Sequence, residues 1–163
     1  MPEAENSRKK TLAVFVSTMG FTGFFPIMPG TVGTIWGLLM WWGTCRTSQP
    51  LLLQTVLAIV FFLLGLVFCG KAEKDLGRHD PGSVIIDETA AAFLTFLGVP
   101  FGLWTALIGL FLNRFFDILK PWPINKLQDL PGAWGIMLDD TAAGIASRLV
   151  LALLLYFFPV IGK

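Results

Sequence analysis

The acidic side chains of this 163-residue sequence are few, and the most informative of them come in doublets. Asp87 and Glu88 follow Val84-Ile85-Ile86, and Asp139 and Asp140 follow Ile136-Met137-Leu138. Ionised carboxylates beside apolar runs are costly unless a cation compensates them, which makes such residues functional candidates. Hard carboxylate oxygens suit Mg²⁺, with waters and a substrate phosphate completing its octahedron. Each doublet also has a plain structural reading: acids favour a helix N-terminus, and Asp139 has the chemistry of an N-cap. Two doublets accompanied by basic blocks fit a metal-and-phosphate site better than two separate caps.

The basic partners have their own spacing. In RFFDILK, Arg114, Asp117 and Lys120 follow one another at i,i+3, so one helical face carries all three. Such a face is either a salt-bridged surface or a phosphate grip, in which Arg114 and Lys120 hold phosphate and Asp117 ligates metal or orients Arg114. The KPWP sequence that follows ends the helix, because Pro121 restricts Lys120 and neither proline propagates a helix. PGTVGT can present backbone N–H groups and the Thr31 and Thr34 hydroxyls to a phosphate. It is no P-loop, since the lysine of that motif is absent, and by itself it also reads as a membrane turn. GRHDPGSVIIDE adds Asp80, the chain's one histidine His79, and Ser83. His79 has the chemistry to protonate a leaving alkoxide or to pair with a carboxylate, and also reads as a solvated loop residue. Ser83 is either a phosphate contact or the N-cap before VIIDE. Cys45 and Cys69 stand in apolar stretches without metal spacing and read as small hydrophobes.

These blocks are set in an apolar chain. Hydrophobic residues make up 55% of it and charged residues 14%, with a mean hydropathy of +0.71. Twelve basic and eleven acidic residues cannot clothe a soluble domain of this size, and a net charge of +1 offers no field for nucleic acid. The fold class expected is all-α: a multi-pass helical membrane protein with short or re-entrant helices and a polar site at the cytoplasmic membrane edge. Residues 51–69 form an uncharged run of 19, close to the ~20 needed to cross a bilayer. Residues 141–160 predict the last span. Residues 89–113 are uncharged and interrupted by Gly98, Pro100 and Gly102, predicting either one kinked span or two short helices turning at GVPFG. Only two short helices return Arg114–Asp140 to the side of Asp80–Glu88. Residues 34–44 are short for a span, and 11–29, punctuated by Gly20, Gly23, Pro26 and Pro29, predict a re-entrant or interfacial segment. Residues 1–10, with Arg8, Lys9 and Lys10, read as a cytoplasmic tail, and 11–163 as a single helical membrane domain.

PIMPGTVGT, GRHDPGSVIIDE, RFFDILKPWPI and GIMLDDTAAG, in this order and at these spacings, resemble the phosphatidylglycerophosphatase A family. The resemblance runs from about Phe21 to Leu155. It implies a bacterial inner-membrane, Mg²⁺-dependent phosphatase that removes the terminal phosphate of phosphatidylglycerophosphate to give phosphatidylglycerol. Its partners would be that substrate and membrane lipids, and no protein partner can be inferred. The family pattern has an aromatic or aliphatic residue and a glycine after the acidic pair, where this chain has Thr89-Ala90-Ala91, a departure that touches packing. The expected site takes Asp87, Glu88, Asp139 and Asp140 as metal ligands and Arg114, Lys120, Thr31, Thr34 and Ser83 as phosphate contacts. Asp80, His79 and Asp117 are its catalytic candidates. The alternative is a small cation or proton transporter or its regulatory subunit, which would need ionisable groups spread through the membrane depth.

Overall fold

A computed structural model describes residues 11–162, and the expected tail at 1–10 lies outside them. The described residues are helical and contain no strand: α1 (Leu12–Ser17), α2 (Pro29–Thr44), α3 (Pro50–Leu76), α4 (Ile86–Thr95), α5 (Leu103–Leu119), α6 (Ile124–Leu127) and α7 (Ala133–Phe157). Single 3₁₀ turns occupy Thr22–Phe24 and Pro159–Gly162. Two of these helices, α3 and α7, are long and apolar enough to cross a membrane. At 1.5 Å per residue they reach roughly 40 Å, more than the ~30 Å of hydrocarbon that a span must cover.

A helix of only ten residues is the centre of the structure. α4 is buried along nearly its whole length and packs against α2, α3 and α7. Small residues make this possible. A Cβ on Gly37 of α2 would collide with Ala92, and one on Gly144 of α7 would press on the Ala91 backbone at 2.6 Å. Without a hydrophobic drive between lipid-exposed helices, such close approach is what holds a bundle together. The Thr89-Ala90-Ala91 departure therefore lies at close helix contacts, and Thr89 Oγ1 donates across to Gly33 O at 3.0 Å. Asn113 of α5 joins three helices, accepting from Thr34 Oγ1 of α2 and donating to Thr95 Oγ1 of α4.

The uncharged stretch 89–113 is two helices with a break at residues 96–102. Irregular backbone at membrane depth requires partners from the protein. Gln54 Oε1 accepts from Gly98 N at 2.9 Å, and Arg148 Nε donates to Leu97 O at 2.9 Å.

Several boundaries differ from the sequence expectations. α2 begins at Pro29, so PGTVGT is its first turns, yet at about 24 Å it is still shorter than a span. Residues 11–29 form the six-residue α1 and a 3₁₀ turn, joined through positive φ at Met19, Gly20 and Phe21. Thr11 anchors this segment to the end of α3 by donating to Asp75 Oδ2 at 2.6 Å. α7 starts at Ala133, so Asp139 and Asp140 sit nearly two turns inside the helix and the N-cap reading of that doublet is removed.

Candidate active site at the junction of four helices

The acidic doublets approach one another from different helices. Asp87 and Glu88 occupy the first turn of α4, where the unpaired N–H groups of a helix start favour negative charge. Asp140 reaches the same place from α7. One ligand oxygen from each of Asp87, Glu88 and Asp140 lies within 4.8 Å of the others, and both aspartates are buried. Asp87 Oδ1 accepts from the Glu88 backbone at 3.0 Å, and Asp139 Oδ1 from the Asp140 backbone at 2.9 Å, so in both doublets the first acid leans on the second residue's amide.

Arg114 closes the cluster from α5. Its Nη1 lies 3.7 Å from Glu88 Oε1 and 2.6 Å from Asp117 Oδ2, the i,i+3 pair expected from the sequence. Gly30, at the start of α2, forms the remaining wall. A Cβ there would collide with Glu88 Oε1 and approach the Arg114 guanidinium nitrogens at 2.7 and 2.8 Å. Polar atoms buried without a hydrogen-bond partner gather here: Glu88 Oε2, Arg114 Nε and, one residue beyond Gly30, Thr31 Oγ1. Such groups cost roughly 1–3 kcal/mol each when left unmet, so their concentration at one spot marks a place for a ligand.

The remaining sequence candidates separate. Lys120 does not continue the Arg114–Asp117 face: it leaves α5 with φ 40° and its Nζ donates to Asp139 Oδ2. The helix ends one residue too early for the expected i,i+3 partner. Partial burial opposes the Lys120 charge, but the Asp139 hydrogen bond and the nearby carboxylates outweigh it and raise its pKa above the ordinary lysine value. Asp139 is thus committed to Lys120 and is not part of the close carboxylate trio. Thr34 is fully buried, with its hydroxyl turned to Gly30 O and Asn113 Oδ1, and ties helices together instead of facing a phosphate. Ser83 is not the cap of α4, whose N-cap position is Ile85. It lines a cavity of about 570 Å³ with Arg78 and Pro29. His79 is exposed and shares a hydrogen bond with Glu73, which, helped by the Asp80 charge, raises its pKa. Asp80 joins His79 and Asp139 along a smaller cavity of about 220 Å³. Gly30, Asn113 and Arg148 were absent from the sequence candidates. The PGTVGT motif pointed at Gly30's neighbourhood, whereas nothing local singled out Asn113 or Arg148.

Clustered carboxylates closed by a guanidinium, on an all-helical frame with two membrane-length apolar helices, define a membrane-associated protein built to hold a charged ligand at one end of its bundle. The profile of the phosphatidylglycerophosphatase A family matches residues 15–155. The phosphatidylglycerophosphatase A of Escherichia coli K12 is 32% identical over 145 residues, covering 87% of this chain and 83% of that protein. The Haemophilus influenzae protein of the same name is 34% identical over 151 residues, covering 88% and 90%. A Bacteroides thetaiotaomicron relative, provisionally named a phosphatidylinositol-3-phosphatase, is 30% identical over 151 residues, covering 89% and 94%. No solved structure matches. The chain belongs to the phosphatidylglycerophosphatase A family and is a phosphoric monoester hydrolase. The transporter alternative finds no support in these relationships, and the carboxylates gather at one end of the bundle instead of along a path through it.

Proposed function

We propose that this enzyme hydrolyses the terminal phosphomonoester of phosphatidylglycerophosphate, yielding phosphatidylglycerol and inorganic phosphate, at the cytoplasmic edge of a bacterial inner membrane. The observation that carries the reading is the Asp87–Glu88–Asp140 trio, its two aspartates buried, closed by Arg114. The donor set fits Mg²⁺: three carboxylates, hard oxygens only, with Glu88 Oε2 otherwise unpartnered. Asp87, Glu88 and Asp140 would hold that ion, which when bound neutralises phosphoryl charge and acidifies water.

The chain's own groups account for the rest. Arg114 offers its unpartnered Nε–H to the equatorial phosphoryl oxygens, while Asp117, paired with Nη1, fixes the guanidinium plane from one turn along α5. Thr31 Oγ1, without a partner next to Gly30, supplies a further donor to the same anion, and Gly30 leaves space for it. Asp139 holds the Lys120 ammonium beside the trio, adding positive charge where negative charge accumulates. A water oxygen forms the new P–O bond as the bond to the glycerol oxygen breaks; one proton of that water passes to the departing alkoxide, which leaves as the alcohol, and the other stays on the phosphate. His79 faces solvent beside Glu73 and carries no step.

The test is phosphate release by purified protein in detergent, with and without Mg²⁺, from phosphatidylglycerophosphate, phosphatidylinositol 3-phosphate and glycerol 3-phosphate. The expected result is Mg²⁺-dependent turnover of phosphatidylglycerophosphate, with glycerol 3-phosphate at least ~10²-fold less efficient because remote binding energy is lost. Faster turnover of phosphatidylinositol 3-phosphate would move the substrate assignment toward the Bacteroides relative's name.

A further inference from the structure

An apolar groove of about 600 Å³ runs between the Phe21–Pro26 segment and α2, and the mechanism above makes no use of it. Its α2 wall is Val32, Ile35, Trp36 and Leu39, the i, i+3, i+4, i+7 spacing of one helical face. Ile35 and Leu39 are 41% and 51% exposed, and Phe24 and Phe25 opposite them 45% and 55%. Trp36 Nε1 donates to Thr22 Oγ1 at 3.0 Å, so the segment and the helix are fastened together across the groove.

Its position distinguishes it from other apolar surface. Phe24 also lines the adjoining cavity that contains Arg78, Ser83 and Pro29, and Pro29 precedes Gly30, which abuts Glu88 and Arg114. The two spaces therefore share a wall beside the carboxylate site. One carries the Arg78 cation and the Ser83 hydroxyl on its lining, while the other has no charged residue. From Val32 to Leu39 the groove descends α2 by about 10 Å away from the site, in the direction an acyl chain takes from a headgroup. A second apolar groove, between α3 and α4 around Ile59, Phe62 and Leu63, has no cationic residue on its lining.

We propose that the groove between Phe21–Pro26 and α2 seats one acyl chain of the lipid substrate, with Arg78 in the adjoining cavity meeting its phosphodiester. The proposal rests on the lipid-phosphatase reading and adds which surface recognises the lipid. Binding energy from this remote part orients the phosphomonoester at Arg114.

The experiment uses phosphatidylglycerophosphate carrying a diazirine at the end of one acyl chain, irradiated with the full chain in mixed micelles. Adducts are expected on residues 21–39 and should disappear with excess unlabelled phosphatidylglycerophosphate, but not with phosphatidylcholine. Adducts confined to the 59–63 groove, or adducts on 21–39 that no competitor removes, would overturn the proposal, the second outcome meaning bulk lipid only. In parallel, the double variant Ile35→Ser/Leu39→Ser should lower kcat/KM for phosphatidylglycerophosphate by about 10-fold through lost apolar contact, while leaving deacylated glycerophosphoglycerophosphate within about twofold. Equal losses on both substrates, or no loss on the lipid, would also overturn it. Wild-type protein releasing no phosphate from either substrate would sink the phosphatase reading itself. Normal wild-type turnover with unaffected variants would sink the groove alone.

Discussion

Buried polar side chains occur at two ends of this molecule, and they are treated differently. At the break between α4 and α5, Gln54 and Arg148 meet backbone atoms freed by the interrupted helix, and Gln54 Nε2 also donates to Thr44 Oγ1. Trp41 Nε1, stacked in an aromatic cluster nearby, is an isolated departure. At the carboxylate end, Glu88, Arg114 and Thr31 keep unpartnered atoms while three carboxyl groups crowd together. A polar group whose partners are all internal maintains architecture. One left open at the cost of stability waits for something the chain does not supply.

That contrast breaks most visibly at the trio. Asp140→Asn and Glu88→Gln keep size and hydrogen-bonding capacity but remove an anion, and phosphate release should fall by roughly 10²-fold or more. Thermal unfolding in Mg²⁺-free detergent should show no loss of stability, because each change relieves repulsion among buried carboxylates. A variant that unfolds early while retaining turnover would reverse the roles of the two ends.

Gly30→Ala tests the cradle without touching a charge. Its Cβ would displace Glu88 or the guanidinium of Arg114, and a misplacement of that size lowers kcat/KM by about 10- to 100-fold. Unchanged kinetics would show that the ligand does not pass between Gly30 and Arg114.

At the other end the expected effect moves from activity to stability. Arg148→Met keeps the apolar stem but abandons Leu97 O, costing about 1–3 kcal/mol in unfolding measurements. Turnover per folded molecule should stay within about twofold of wild type, since Arg148 is not among the trio or its partners. A specific loss of kcat at full stability would make the break part of the catalytic apparatus.

The smallest effect belongs to His79. Its pKa is raised by Glu73, so the charged pair is fully present below the ordinary histidine value of ~6.5 and fades as pH rises through the raised one. His79→Gln should therefore lower Tm slightly near pH 5.5 and not at about pH 9, with kcat unchanged. A large kcat loss would restore the proton-donor role that its chemistry suggested.

Much of this protein was legible in one dimension because the informative signals were local. The gap in charge over 51–69 marked α3, and Gly98, Pro100 and Gly102 marked the break that separates α4 from α5. Arg114 and Asp117 pair because three residues on a helix bring side chains to one face. Asp87 and Glu88 opened a helix as their setting implied.

Partners far apart in sequence were decided only by tertiary structure. Lys120 meets Asp139, Thr34 meets Asn113 and Arg148 meets Leu97 across 19, 79 and 51 residues, and no periodicity encodes those distances. The early start of α7 carried Asp139 and Asp140 inside a helix, where one turned to Lys120 and the other to the trio. The amino-acid sequence by itself determined an apolar helical chain with its acids and bases gathered in short blocks, because hydrophobic span length and helical spacing are properties of neighbouring residues. Which acids share a site was decided by how closely the helices approach, and that depends on glycines and alanines whose role appears only when another backbone lies against them.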